Sequence, residues 1–196
     1  ERYFDNGNLT NEEILQGLRK ANQNSNLIPV LVAAGARMIG IAPLLEALTE
    51  LAPSPLDRPA AIAQSPKGEV QLEPSDTGPL AAYVWKTTAD PFVGRQTFFR
   101  VYSGVMTSDS RVWNANKGEE ERLASMQVPF GKDNLPVPVI HSGDIGTVAK
   151  LAVTTTGDTL TTREHNLILP MPTYPSPLYR VAVAPKTQAD AAKMST

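Results

Sequence analysis

Gln96-Thr97-Phe98-Phe99-Arg100-Val101-Tyr102 is the stretch whose reading decides the fold. It is β-branched and aromatic, with Arg100 set between Phe99 and Val101, which is the composition of a strand. On its N-terminal side, Leu80 to Thr87 carries Tyr83, Val84 and Trp85 and reads the same way. On its C-terminal side, Arg111-Val112-Trp113-Asn114 and Glu121 to Val128 flank Asn116-Lys117-Gly118, where Gly118 supplies the positive φ of a tight hairpin turn. Ile145 to Leu151 is a further strand, and Gly157-Asp158 punctuates the last pair. Short strands at turn-separated intervals predict a mainly β unit over residues 79–172, a small antiparallel barrel or sandwich.

The grammar before this unit is different. Thr10 as N-cap, Glu13 as its capping-box partner, and Leu9 with Ile14 as a hydrophobic staple start a helix from about Asn11 to Ala21. Ile14, Leu15, Leu18 and Ala21 share one of its faces. Leu27 to Val32 is a continuous apolar run, the pattern of a strand buried on both faces, with Pro29 near its start. Pro43 stands in the first turn of a second amphipathic helix through Leu44, Leu45, Leu48 and Leu51, which Pro53-Ser54-Pro55 ends. A lone strand of that kind needs a parallel sheet around it. Residues 1–55 are therefore expected to be the tail of an α/β domain that begins upstream of Glu1. Residues 56–78, rich in Pro, Ala, Gly and Ser, read as a linker. Leu178 to Ala184 reads as a strand and Gln188 to Met194 as the start of a helix, so residues 173–196 are expected to open a further domain.

Composition removes several classes of function. The 196 residues include no cysteine, which excludes disulfides, thiolate nucleophiles and Cys-based metal sites. Two histidines, His141 and His165, leave little for a His metal site or triad. Eighteen basic and 20 acidic side chains give a formal charge of −2, without the basic footprint of an autonomous nucleic-acid binder. No apolar run is long enough to span a bilayer and no signal segment opens the chain, so no membrane partner and a cytoplasmic location are expected.

No phosphate loop of the G-x-x-x-x-G-K-[ST] type is present. Asn116-Lys117-Gly118-Glu119 superficially resembles the guanine-reading Asn-Lys-x-Asp element, but it ends in Glu and its setting is a hairpin turn. Glu119-Glu120-Glu121 reads as a solvated charged edge, because consecutive strand residues point to opposite faces. In His141-Ser142-Gly143-Asp144, neighbours in a glycine turn do not face each other as base and nucleophile must, so the turn reading is preferred. Trp85 and Trp113 are read as packing residues, with base stacking as the alternative.

Asp90-Pro91-Phe92-Val93-Gly94-Arg95 followed by Thr97-Phe98-Phe99-Arg100-Val101-Tyr102-Ser103-Gly104 resembles the opening of domain II of bacterial elongation factor G. Lys117-Gly118 with Glu121-Arg122, then Gly143-Asp144-Ile145, then Thr154-Thr155-Thr156-Gly157-Asp158-Thr159-Leu160 continue the resemblance in family order. Tyr174-Pro175, Val181-Ala182-Val183 and Pro185-Lys186-Thr187 resemble the entry into domain III, and Leu9-Thr10 with Glu12-Glu13-Ile14, Pro29-Val30-Leu31 and Pro53-Ser54-Pro55-Leu56-Asp57 the end of the G domain. The resemblance implies a closed antiparallel β-barrel between the α/β tail of a GTPase domain and the first strand and helix of an α+β domain. It implies a parent translational GTPase using GTP and GDP. The ribosome is the implied partner, through small-subunit RNA and proteins, together with the parent's own G domain and domain III. The barrel would dock on the ribosome and couple the domains, while catalytic residues lie outside this chain. The guanine-contact position, a Ser-Ala pair in the family, reads Ala34-Gly35 here, without the serine hydroxyl. Val128 to Val139 is more Pro-rich than in the family, which suggests a diverged paralogue. A stand-alone barrel acting as a protein or RNA adaptor is the alternative expectation.

Overall fold

A computed structural model of the chain describes residues 2–90, 94–187 and 190. The chain divides into two compact units, Glu1–Pro59 and Ala60–Thr196.

The first unit holds α1 (Arg2–Asn6), α2 (Asn11–Gln23) and α3 (Ile41–Leu51). Thr10 caps α2 reciprocally: its hydroxyl accepts from Glu13 N–H at 3.3 Å, and the Glu13 carboxylate accepts from Thr10 N–H at 3.0 Å. The helix runs past Ala21 to Gln23, and the Asn22 side chain donates to the Leu51 carbonyl at 2.8 Å, tying the C-terminal ends of α2 and α3 together. The strand expected at Leu27–Val32 does not form. Ile28, Val30 and Val32 are 84%, 87% and 89% exposed, because a strand of this composition needs neighbours that residues 1–59 do not supply. None of the described residues of this unit is buried.

The second unit is mainly β. Residues 56–78, read as a linker, contain a hairpin of β1 (Ala61–Ser65) and β2 (Gly68–Leu72). Ala63 and Leu72 of this hairpin pack with Ala81, Tyr83, Leu167 and Leu169 in a small apolar cluster. The other strands are β3 (Ala81–Asp90), β4 (Gly94–Ser103), β5 (Met106–Thr107), β6 (Arg111–Asn114), β7 (Glu119–Arg122), β8 (Met126–Phe130), β9 (Asp133–Val137), β10 (Val139–Ile140), β11 (Ile145–Ala149) and β12 (Thr159–Thr161). β5 and β10 form a separate ribbon. The rest build one 8-stranded antiparallel sheet in the order β7-β6-β12-β3-β4-β11-β8-β9.

Among the described residues this ladder is open, with β7 and β9 as edges, and the expected closed barrel is not found. The expected strand from Glu121 to Val128 breaks at Leu123-Ala124-Ser125. The four steps from Arg122 to Met126 span about 14 Å at most, yet they carry the chain from edge strand β7 to β8 near the other edge, so the sheet is strongly curled. Other groups occupy the gap in place of ladder bonds: Leu123 N–H donates to the Ser110 carbonyl and Met126 N–H to the Ser108 hydroxyl, both at 2.9 Å. The curl encloses one core, including Val84, Phe99, Val101, Met106, Val112, Leu123, Met126, Ile140 and Leu160, all at most 3% exposed. The Pro-rich segment 128–139 contributes the β8–β9 hairpin. Pro136 lies in the edge strand, and Pro129 lies beyond the part of β8 that pairs with β11, where no ladder donor is needed.

Residues 173–187 are exposed and form no ladder, including the expected strand Leu178–Ala184. The expected helix Gln188–Met194 lies outside the described residues except for Asp190, whose N–H meets the Thr187 hydroxyl at 3.2 Å. Among the described residues no helix is long and apolar enough to cross a membrane.

Candidate functional site

Opposed residues of an antiparallel sheet share a face. In β3 and β4, Val84 opposes Phe99 toward the core, and Lys86 opposes Phe98 on the outer face, with the register shifting between Val84 and Lys86. Trp85 is thus the extra residue of a bulge. The bulge slips the alternation by one, and bulges of this kind re-aim side chains next to sites. Trp85 is 43% exposed and its ring lies 5.6 Å from that of Phe98, while Lys86 Nζ sits 5.7 Å from the Phe98 centroid. The neighbouring outer row is Tyr83, Arg100 and Ile145. The outer face therefore offers an accessible tryptophan, a cation held over an aromatic ring, and a second cation in Arg100. Such a set suits stacking on planar groups and contact with phosphate.

Trp113 was also expected to be packing, and it is half-buried. Its indole N–H donates to Asn166 Oδ1 at 3.0 Å, and the Arg163 guanidinium lies 5.2 Å from its ring. Neither tryptophan belongs to the buried core.

The carboxylate run does not form a uniformly solvated edge. Glu119 and Glu120 are exposed, but Glu121 is 6% exposed and accepts from Val153 N–H at 2.8 Å, from Thr154 N–H at 3.1 Å and from the Thr154 hydroxyl. The Thr154 hydroxyl also accepts from Asn114 Nδ2, whose other contact is Asp158 Oδ2, both at 3.0 Å. Asp158 closes its own loop by accepting from Thr155 N–H at 2.8 Å, and Lys117 Nζ stands 3.8 Å from its other oxygen. The run Thr154 to Leu160 is thereby explained as a buried polar network that pins a loop to β6 and β7. Buried polar groups so completely partnered specify one arrangement rather than carry out acid–base chemistry. Asn116-Lys117-Gly118-Glu119 is the β6–β7 turn, with Gly118 at φ +69°. Its Asn116 and Lys117 N–H groups donate to Asn114 Oδ1.

The His141 turn is a structural latch. His141 Nδ1 pairs with Asp76 Oδ2 at 2.8 Å, and Ser142 N–H donates to Asp76 Oδ1 at 3.0 Å. The Ser142 hydroxyl donates to the Tyr102 carbonyl at 3.2 Å, so it is not aligned on the imidazole as a nucleophile would be. The Ser142 amide and then His141 hold the Asp76 carboxyl below the usual aspartate range. Among the described residues no group of three or more His, Asp or Glu side chains could hold a metal.

Ala34 and Gly35 lie in the first unit. Ala34 bridges to Ile39, donating to its carbonyl at 2.9 Å, and Gly35 opens a 3₁₀ turn through Arg37. Both residues are exposed, and a Cβ at Gly35 would meet nothing within 4 Å. The Trp85 bulge and the burial of Glu121 are not readable from composition, because both are defined by strand partners.

The family model described as elongation factor G domain 2 matches residues 79–163. That span covers β3 to β12 and the whole polar network. A crystal structure of a protein from Thermus thermophilus superposes with a TM-score of 0.74 at 30% identity, over 100% of this chain and 27% of that one. The chain thus spans about a quarter of that protein's length.

Proposed function

We propose that this chain, whose residues 79–163 belong to the elongation factor G domain 2 family, is part of an elongation factor G-like translational GTPase. The observation that carries the reading is the family match together with 30% identity over the whole chain to one larger protein. In this reading, residues 1–55 are the tail of a G domain and residues 173–196 the entry to domain III. The curled sheet docks on the small ribosomal subunit and relays the nucleotide state between domains. The outer face around Trp85, Lys86 and Arg100 supports a local RNA contact by stacking and phosphate pairing. The unpartnered apolar side chains Ile28, Val30 and Val32 support a neighbouring sheet and weigh against a stand-alone adaptor. Hydrolysis of GTP, translocation or a related ribosomal step, and a cytoplasmic setting are properties of the proposed parent.

Charges over residues 76–172 nearly cancel, so the isolated chain is expected to bind small subunits weakly and to lose them as salt is raised. The deciding experiment is a denaturing blot of source-cell protein with an antibody raised against this chain. A band several times heavier than the chain, with GTP hydrolysis stimulated by ribosomes in the purified product, supports the proposal. A band of the chain's own length would overturn it. In the longer protein, Ala34→Ser is expected to tighten GDP binding by restoring a hydroxyl at the guanine-contact position. Unchanged affinity by calorimetry would remove Ala34-Gly35 from the site.

A further inference from the structure

The turn that leads from β5 to β6 holds Asp109 in the left-handed region, at φ +59°. Aspartate tolerates that conformation, but glycine adopts it freely, so a carboxylate stands where the backbone alone favours glycine. No hydrogen bond or ion pair among the described residues engages that carboxylate. Asp109 borders a cleft of about 430 Å³, together with the two residues before it, Ser125 and residues 136–138. The volume falls within the range of small-ligand sites. Asp109, Thr107, Ser125, Pro136 and Pro138 are all exposed, so the cleft is open to an incoming group. Ser108 ties its segments together. Its N–H donates to the Pro138 carbonyl at 2.8 Å, and its hydroxyl donates to the Val137 carbonyl at 2.8 Å while accepting from Met126 N–H at 2.9 Å. The cleft is therefore shaped before any ligand arrives, which lowers the cost of binding.

The lining restricts the occupant. With Ser108 engaged, the side-chain hydroxyls left to a ligand are those of Thr107 and Ser125. Pro136 and Pro138 carry no N–H, and no lysine, arginine or histidine borders the cleft. It thus offers one negative charge, oxygen acceptors and apolar proline faces, with few donors. Such a lining repels anions and selects a donor-rich cation with an apolar stem. A guanidinium suits it better than an ammonium: its planar fork meets a carboxylate at two points, keeps further N–H groups for the hydroxyls, and is the more weakly hydrated. The carrier is restricted as well. Free arginine brings an α-carboxylate and an α-ammonium, and the lining has no second charge to receive either. In a polypeptide both of those ends are neutral amides.

We propose that this cleft receives an arginine side chain of a partner polypeptide, with its guanidinium on Asp109 and its stem along Pro136 and Pro138. The site shares no residue with the outer face at Trp85, and the proposal does not depend on the GTPase reading.

The test titrates the chain with acetyl-Gly-Arg-Gly-amide and, as the uncharged control of the same shape, its citrulline counterpart, following the backbone amide signals of Thr107, Asp109 and Ser125 by NMR. The arginine peptide is expected to shift these signals saturably and the citrulline peptide to leave them in place. Asp109→Asn removes the charge and keeps a residue that tolerates positive φ, while Asp109→Gly removes the side chain where glycine is unstrained. Both variants are expected to keep the melting temperature and to weaken arginine-peptide binding about three- to tenfold. Glu119→Gln, which removes an exposed carboxylate outside the cleft, is expected to leave binding unchanged. Equal response to the arginine and citrulline peptides, or wild-type affinity in both Asp109 variants, would overturn the proposal. Free arginine binding as tightly as the peptide would overturn the assignment to a polypeptide.

Discussion

Gly146 sits in the core-facing row opposite Phe99, and a Cβ there would stand 2.9 Å from Phe99 Cζ and closer still to the Ile140 side chain. Both neighbours are fully buried and have nowhere to retreat. Gly146→Ala is expected to destabilise the second unit by about 1–3 kcal/mol through overpacking, read from the urea midpoint. Glu121 poses the opposite problem, because its carboxylate is an acceptor for three donors around Thr154. Glu121→Gln turns one acceptor oxygen into a donor facing those donors. It is expected to cost about 1–3 kcal/mol, whereas Glu119→Gln, at an exposed position of the same strand, is expected to change little. Equal effects of the two glutamine variants would show that the network carries no stability. The residue identities of this network were visible in the sequence, but the inward turn of Glu121 was not, since a run of three glutamates is ordinarily solvated.

The strands nearest the deciding stretch were legible because composition and alternation agreed. β3, β4, β6 and β11 fall where the pattern puts them, and the cap of α2 stands at Thr10 and Glu13. What stayed hidden has physical causes. The β1–β2 hairpin has strands of 5 residues each in a Pro-, Gly- and Ser-rich stretch, and two of the three apolar positions of β1 are alanine. β5 and β10 are 2 residues each, too short to carry a period. A bulge is a property of two strands together, so Trp85 could not be recognised as one from its own strand. The guanine-contact reading of Ala34-Gly35 rests on family likeness alone. At this scale the loop carrying Asp76 is fastened to the β10–β11 turn by a carboxylate that is easier to ionise in the fold than in the unfolded chain. A depressed carboxyl stabilises above the ordinary aspartate value of 3.8 and stops doing so as pH falls through its lower folded value. The His141 ring signal is therefore expected to keep its Asp76-bound position at pH 5 and to lose it well below pH 4. In Asp76→Asn, the acid-induced change at His141 is expected to vanish, and its persistence would place the coupling elsewhere.

Across the whole chain, both apolar clusters are drawn entirely from residues 63–169. Residues 60–172 expressed alone are expected to melt at the same temperature as the full chain, by circular dichroism at 218 nm. Residues 1–59 alone are expected to show no cooperative transition, since α2 and α3 are near the length at which isolated helices are marginal. A shared loss of both transitions on truncation would contradict this division. The absence of any buried side chain among the described residues of 1–59 also has an enzymatic consequence. A protease cuts where backbone opens cheaply, and opening there exposes little that was not already wet. Brief digestion with a broad-specificity protease is thus expected to shave the chain from both ends. It should leave one resistant body whose N-terminus lies just before Ala61 and whose C-terminus lies near Pro172.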